Sequence, residues 1–248
     1  MRTDCKDIIF VIEFFVKKKS IKKPKRKPSS TMGVNRLCRL KDFRACHSFV
    51  KDVTPDWYAE TTQNGHDPST HGGIVGGELL ECILFGPGLR LSNRDTFIEI
   101  GSSTGLITNA VSVFFGVMDC RGIERDENRH QKAVMATTNI NGFFNPSMFR
   151  LGDMTDPEKM REILQCERAR IWFSNYGWSM QGTIENGFVE NIEKYCKVGA
   201  RIATFSQLRF RTNRWAKRED IFRVDNGDLS WTNNIRTIKV YFYELIVS

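Results

Sequence analysis

Short strand-like runs alternate with helical stretches from Thr96 onward. In the first helical stretch Ile107, Ala110, Val111 and Phe114 are spaced at i, i+3, i+4 and i+7, which is typical of an amphipathic helix with one buried face. Strands that alternate with helices of about 10–15 residues predict right-handed βαβ units and a parallel sheet with helices on both faces. The predicted strands are 96–100, 120–124, 148–153, 170–175 and 200–205, and the predicted helices lie near 104–116, 127–141, 156–166 and 182–196.

The C-terminal end follows another pattern, because two strand-like runs, 222–232 and 237–247, have no helix between them. Asn233 and Asn234 supply a turn at their junction. The pattern therefore predicts an antiparallel hairpin that closes one edge of a Rossmann-like α/β sheet.

The part of the chain before Thr96 is less regular. Glu78 to Phe85 places its leucines and isoleucine near one helical face, and Gly86-Pro87-Gly88 is expected to end that helix. We therefore divide the chain into an arm over residues 1–30, a helical and loop region over residues 31–95, and a core over residues 96–248.

The excess of basic residues equals the charge of one tract within the arm, residues 17–27. The chain has 37 Lys+Arg and 29 Asp+Glu, and residues 17–27 (KKKSIKKPKRK) contribute eight bases and no acid, which leaves 29 against 29 in the remainder. The prolines at 24 and 28 disfavour a helix, so a solvated arm is expected. Such a tract indicates nuclear targeting, anchoring to nucleic acid, or both. Its bases are Lys17, Lys18, Lys19, Lys22, Lys23, Lys25, Arg26 and Lys27.

Other features restrict the compartment. Residues 8–16 are apolar apart from Glu13, but nine residues are too few to cross a bilayer, which needs about 20. The seven cysteines form no CxxC pair and no metal-ligand spacing, as expected for reduced intracellular thiols. We therefore expect no membrane span and no metal, and the arm favours the nucleus.

The clearest chemical motif follows the first predicted strand and reads FIEIGSSTG, from Phe97 to Gly105. Gly101, Ser102 and Gly105 form a turn that lets the backbone approach a ligand at the carboxyl edge of the sheet. Glu124, nineteen residues beyond Gly105, is placed to accept hydrogen bonds from a ribose diol.

The dinucleotide motif GxGxxG is absent, and Glu99 stands two residues before the first glycine. An acid there suits a ligand with an ammonium group. The combination indicates S-adenosyl-L-methionine as cofactor, with Glu99 bonded to its amino-acid end.

Two further strand ends carry candidate residues. Asp153 is placed to accept from the adenine amino group, and Met154 to pack on the ring. After the fourth strand, Asn175 stands among aromatic residues, Tyr176 and Trp178, which form an apolar slot with one polar group, suited to an alkylamine.

These segments resemble a known family, the disruptor-of-telomeric-silencing histone H3 lysine methyltransferases, which lack a SET domain. Their F-x-D-L-G-S-G-x-G motif is similar to residues 97–105, and their V-N-N-F-A-F-G segment resembles residues 173–179. Their G-G-R-I-V strand is similar to residues 199–203, and their late V-S-W-T with a tyrosine-rich strand resembles 229–232 and 239–243. Their Y-G-E loop is similar to residues 75–78, which adds Gly77 and Glu78 to the expected cofactor site. The resemblance covers roughly residues 72–245.

The resemblance implies a class I methyltransferase fold and transfer of a methyl group from S-adenosyl-L-methionine to a lysine in the globular core of histone H3 in nucleosomes. It further implies that Asn175 also contacts the cofactor and positions the acceptor, with Tyr241 and Trp178 as channel walls. The arm would then bind nucleosomal DNA phosphates.

The sequence departs from the family at Ser103, Ser174 and Met154, which replace the middle glycine, the first Asn and an aromatic residue. Two alternatives remain open. The chain is either another class I methyltransferase, acting on RNA or a different protein amine, or a catalytically degenerate chromatin-binding module.

Overall fold

The computed structural model describes residues 77–140, 147–174, 183–224 and 236–247. The basic arm, the other residues before Gly77, and the predicted site residues Asn175 and Trp178 lie outside these ranges. Helices and strands within the described ranges are numbered here in chain order. They are α1 (Gly77–Phe85), β1 (Thr96–Ile100), α2 (Leu106–Phe115), β2 (Asp119–Glu124), α3 (Glu127–Ile140), β3 (Met148–Leu151), α4 (Pro157–Leu164), β4 (Ala169–Phe173), α5 (Thr183–Tyr195), β5 (Arg201–Thr204), β6 (Trp215–Val224) and β7 (Arg236–Leu245).

The strands form one seven-stranded sheet in the order β3-β2-β1-β4-β5-β7-β6. The first five are parallel, whereas β7 pairs antiparallel with both β5 and β6. The order reverses between β1 and β4, so the carboxyl ends of these strands flank the switch point where α/β sheets bind ligands. The predicted class I methyltransferase arrangement, a parallel sheet that ends in an antiparallel pair, is confirmed.

Two apolar clusters pack against opposite faces of the sheet. On one face α1 and α2 cover Phe97, Trp172 and Phe242. On the other face α4 and α5 cover Ile98, Ile171 and Ile202. Every residue of β1 and β4 is buried, as expected for central strands covered on both sides. The predicted face of α2 is confirmed for Ile107, Ala110 and Val111, all of them at most 5% exposed.

The first strand of the predicted hairpin needs correction, because β6 begins at Trp215, seven residues before the predicted start at 222. Residues 216–220 are mostly exposed and charged, so they lack the apolar alternation that indicates a half-buried strand. They form the edge of the sheet, where charged side chains are common and backbone pairing with β7 defines the strand. The predicted turn at Asn233 and Asn234 lies outside the described residues.

The ribbon of β6 and β7 extends past the end of β5. The last residue of β5, Thr204, pairs with Tyr241, while residues 236–240 pair only with β6 in the described part of the chain. Five further residues span about 17 Å at strand spacing. The start of β7 therefore projects beyond the carboxyl edge of the parallel strands.

No helix in the described ranges is both long and apolar enough to span a bilayer.

Candidate functional site

The turn after β1 is held against the end of β2. The backbone amides of Gly101 and Ser102 both donate to the carbonyl of Ile123, at 2.9 and 3.0 Å. Gly101, Ser103 and Gly105 all have positive φ, of 70°, 50° and 78°. Such values favour glycine, so Ser103 has a strained backbone conformation.

The two glycines of this turn serve different purposes. A Cβ atom on Gly105 would lie 2.5 Å from the ring of Phe149 and 2.9 Å from Cβ of Ala133, so Gly105 permits the close packing of α2 on β3 and α3. A Cβ on Gly101 would meet no atom of the described residues within 4 Å. With respect to these residues the turn is open on the side of Gly101, where a ligand can approach the backbone.

Glu99 lies under this turn and is 5% exposed. Its Oε2 accepts from the amide of Thr108 at 3.0 Å and from the Thr108 hydroxyl at 2.6 Å. Thr108 is in the first turn of α2, whose N-cap Gly105 has no side chain to cap the helix, so Glu99 satisfies one of the free N-terminal amides. Burial raises the pKa of Glu99 to about 8. The bonds from Thr108 lower this pKa, and the nearby Glu124 carboxylate raises it.

Glu124 ends β2 and is 2% exposed. Its two oxygens accept from two different backbone amides, Oε2 from Ser103 at 2.8 Å and Oε1 from Asp126 at 2.9 Å. The carboxylate therefore connects the glycine turn to the start of α3. The structure thus brings Glu99, Glu124 and the turn together, as the spacing in the sequence predicted.

Neither buried acid forms an ion pair with a Lys, Arg or His side chain of the described ranges. Buried carboxylates normally have a cationic partner or coordinate a metal. No three His, Cys, Asp or Glu residues of the described ranges cluster as metal ligands would. The described residues therefore supply no cationic side chain to these two acids.

Buried hydroxyl groups add further polar atoms at the same edge. Ser102 Oγ and Ser174 Oγ are buried and have no hydrogen-bond partner in the part of the chain that the structure describes. Ser102 follows β1, and Ser174 follows β4, whose last residue Phe173 pairs with Ile100. Buried polar groups are nearly always bonded, so such orphaned hydroxyls fit a site that a ligand completes.

At the end of the third strand, Asp153 is held in a local turn. Asp153 Oδ1 accepts from the amide and hydroxyl of Thr155, both at 2.8 Å, and so closes a local turn before α4. The N-cap of α4 is Asp156, three residues further along the chain. Met154 packs partly against the core between the sheet and α4 and α5, and its carbonyl accepts from Asn191 at 3.0 Å. The predicted contacts of Asp153 and Met154 with adenine stay predictions.

The remaining predicted residues are distributed as follows. Gly77 and Glu78 begin α1, and the side chain of Glu78 lies outside the description. Tyr241 lies on β7 beside the last residue of β5, hence at the carboxyl edge. Its ring is flanked by the ammonium groups of Lys217 and Lys239, at 4.9 and 5.8 Å from the ring centroid.

Three features of the site were missed from the sequence: Thr108 as the partner of Glu99, and the amides of Ser103 and Asp126 as partners of Glu124. The signal for Thr108 was its place in the first helical turn after the glycines, where amides lack intrahelical partners. The partners of Glu124 are backbone amides, so the side chains of Ser103 and Asp126 do not indicate these two bonds.

No protein-family model matches the chain, and no curated protein matches it significantly. Solved structures are similar in fold. A methyltransferase from Anabaena variabilis described as SAM-dependent has 11% identity and a TM-score of 0.44, covering 87% of this chain and 100% of that one. An RNA methyltransferase from Salinibacter ruber in complex with S-adenosyl-L-homocysteine has 15% identity and a TM-score of 0.41, covering 69% and 93%.

A precorrin-6y C5,15-methyltransferase from Geobacter metallireducens has 13% identity and a TM-score of 0.46, covering 68% of this chain and 89% of that chain. The fold class of the present chain, a class I Rossmann-like fold, follows from the strand order of its own sheet.

Proposed function

We propose that this chain is an S-adenosyl-L-methionine-dependent methyltransferase whose acceptor is a lysine in the globular core of histone H3 in nucleosomes. The assignment of this cofactor rests on the pair of buried acids, Glu99 and Glu124. They have no cationic partner in the described ranges and lie beside the glycine turn. The cofactor, when bound, supplies a methyl group on a positively charged sulfur.

The residues at the strand ends divide the binding task. Glu124 accepts from the ribose hydroxyls with the lone pairs that Ser103 and Asp126 leave free. Glu99 takes the ammonium group, and Asp153 accepts from the adenine amino group while Met154 packs beside the ring. Gly77 and Glu78 contribute from the start of α1.

Support for the acceptor comes from the sequence resemblance over residues 173–179 and 229–243. In this proposal Asn175 positions the acceptor nitrogen and also touches the cofactor, while Tyr241 and Trp178 form the walls of a dry channel. Most of the rate comes from alignment of the acceptor nitrogen with the methyl group.

The two lysines beside Tyr241 are consistent with an acceptor that reacts as a neutral amine. A free lysine amine has a pKa of about 10.4 and must lose a proton before it can attack. Nearby ammonium groups and an apolar channel both disfavour the charged form of the incoming amine. Lys217 and Lys239 share a single acid, Glu219, at 3.9 and 3.4 Å, so their charge is only partly balanced by described residues.

The basic tract of the arm, Lys17 to Lys27, supports the proposal that the partner lies in the nucleus and carries phosphates. We infer that it holds nucleosomal DNA and directs the chain to the nucleus.

The deciding experiment offers nucleosomes, free histones and RNA side by side with labelled cofactor. Methylation of H3 in nucleosomes is the expected result, and transfer to RNA alone would replace the proposed acceptor. Asn175→Ala and Tyr241→Phe should lower turnover more than cofactor affinity. Equal losses would place both residues in the cofactor pocket or the core.

The cofactor assignment has its own test. Gly101→Arg should abolish binding of S-adenosyl-L-methionine in calorimetry. A φ of 70° strains any residue that has a side chain, and the arginine would fill the space proposed for the ligand. A folded variant with near-normal affinity would show that the pocket is elsewhere. Absence of binding by the wild-type chain would favour a degenerate module.

A further inference from the structure

No charged group of the described residues pairs with Glu99, and the donors that bond its side chain both belong to Thr108. On β1 it stands in register between Trp172 of β4 and Gly122 of β2. From α2 it meets Thr108. The titratable groups that act on it from β2 are Glu124 and the buried thiol of Cys120, both acidic. No described cation offsets the cost of burying an ionised Glu99.

The two carboxyl groups differ in how their oxygens are used. Both oxygens of Glu124 accept backbone amides, which leaves neither oxygen free of a donor. Both donors to Glu99 come from Thr108 and end on Oε2, and no described residue bonds Oε1. Oε1 of Glu99 is therefore the carboxyl oxygen that has no donor among the described residues and that can carry a proton.

We propose that Glu99 holds a proton on Oε1 in the ligand-free protein and releases that proton to solvent when the cationic cofactor binds. In this step the O–H bond of Glu99 breaks, the carboxylate accepts a hydrogen bond from the ammonium group of the ligand, and the proton passes to the buffer. The inference rests on the proposed function for the identity of the ligand. It adds that cofactor binding is linked to pH through one residue.

The linkage has a defined direction. Burial raises the pKa of Glu99 to about 8, and a bound ammonium group lowers it again. Below about pH 8 the ligand must displace a proton, so its affinity should rise by up to tenfold per pH unit as the pH increases toward that value. The Glu99 dependence is therefore measured below about pH 7, where the α-amino group of the ligand stays protonated.

Calorimetry with S-adenosyl-L-methionine in two buffers of different ionisation enthalpy measures the proton release directly. At about pH 6.5, where the α-amino group of the ligand is itself protonated, the wild-type protein should release nearly one proton per ligand bound. At the same pH Glu99→Gln should release none, and its affinity should not change between about pH 5.5 and 6.5. Wild-type binding without proton release, or equal release by Glu99→Gln, would overturn the proposal.

Glu185→Gln is a matched control. Glu185 is also buried, at 8% exposure, and accepts a backbone amide, that of Arg209 at 3.0 Å, but it lies on α5. The glutamine keeps that acceptor, so proton release and affinity should match the wild type. Loss of proton release in this control would assign the effect to general changes in the fold and reject the role of Glu99.

A second measurement separates this inference from the proposed function. Carbon-13 NMR of the glutamate carboxyl groups in the ligand-free protein, assigned with Glu99→Gln, should show Glu99 titrating near pH 8. A midpoint near the ordinary value of about 4.3 would overturn the inference even if the cofactor binds. Failure of the wild type to bind S-adenosyl-L-methionine, with the NMR titration as expected, would overturn only the proposed function.

Discussion

The backbone amide of Ser103 donates a 2.8 Å hydrogen bond to Oε2 of Glu124. Ser103, whose amide holds the Glu124 carboxylate in place, has a φ of 50°, which is unfavourable for a residue with a side chain. The bond ties the strained turn after β1 to the end of β2. The strained backbone of Ser103 thus helps to fix the position of Glu124, a candidate ligand-binding carboxylate.

Replacing Ser103 by glycine should remove the backbone strain at this position without changing cofactor binding. Ser103→Gly should raise the free energy of unfolding by about 0.5–1 kcal/mol, because glycine adopts the positive φ without steric cost. The amide remains, so cofactor affinity should stay within about twofold. Arg90→Gly, at φ of 52° in the loop after α1, is the control for strain relief away from the site. Chemical denaturation measures both, and a destabilised Ser103→Gly would show that the serine side chain has a necessary contact.

Glu124→Ala should weaken binding of S-adenosyl-L-methionine by about 1.5–3 kcal/mol, since a hydrogen bond to a charged group is lost. The amides of Ser103 and Asp126 lose their acceptor as well, so the stability of the ligand-free protein should also fall. Glu124→Gln keeps one carbonyl acceptor and should lose less of both. Calorimetry and denaturation give the two quantities, and unchanged affinity in Glu124→Ala would remove this residue from the pocket.

Asp95→Asn tests a network at the opposite, amino edge of the sheet. The fully buried Asp95 side chain pairs with Arg168 at 2.7 Å and with the nearly buried Arg170 at 3.2 Å. Loss of the charge leaves Arg170 buried and uncompensated, so the free energy of unfolding should fall by about 3 kcal/mol. Cofactor affinity of the folded variant should not change, because the network is remote from the glycine turn.

The control for Asp95 is Glu167→Gln. Glu167 pairs with Lys197 at the surface, with side chains 80% and 55% exposed. Such pairs contribute under about 1 kcal/mol. A loss in Asp95→Asn no larger than in this control would contradict the assigned role.

The ligand-free protein should lose stability as the pH rises between about 4.5 and 8 through the contribution of Glu99. In this interval the folded protein retains the Glu99 proton that the unfolded chain has released, so each added pH unit favours unfolding by about 1.4 kcal/mol. Glu99→Gln removes this contribution. The difference between wild type and variant in denaturation midpoints across the interval measures it, and a difference that does not change with pH would contradict the expectation.

Deletion of residues 17–27 should weaken nucleosome binding and reduce its salt dependence, while leaving cofactor affinity unchanged. Each lost phosphate contact should lower the log–log slope by about 0.9. Activity on nucleosomes should fall more than activity on a free peptide, because the arm raises the effective concentration of the site at its target. An unchanged salt slope with full nucleosome activity would leave the arm as a localisation signal.

The sequence by itself determined the order of elements and the fold class, because the helical and strand periods of the core reflect which faces are buried. Phe188 and Ile192, which are four residues apart and so share one face of α5, are both fully buried. The start of β6 was missed because an edge strand pairs through its backbone and needs no apolar alternation. The pattern of apolar residues therefore predicts a helix or strand only where burial of one face makes apolar residues recur at a regular spacing.

The candidate acids, Glu99 and Glu124, also followed from the sequence, because the carboxyl ends of neighbouring parallel strands meet at one edge. What only the tertiary structure decided is the environment of those acids. The contacts of Glu99 with Thr108, and of Glu124 with the Ser103 and Asp126 amides, depend on the turn geometry and on how α2 packs. Burial without a described cationic partner, which raises the pKa of Glu99, is a property of the packed surroundings, and residue identity alone does not fix it.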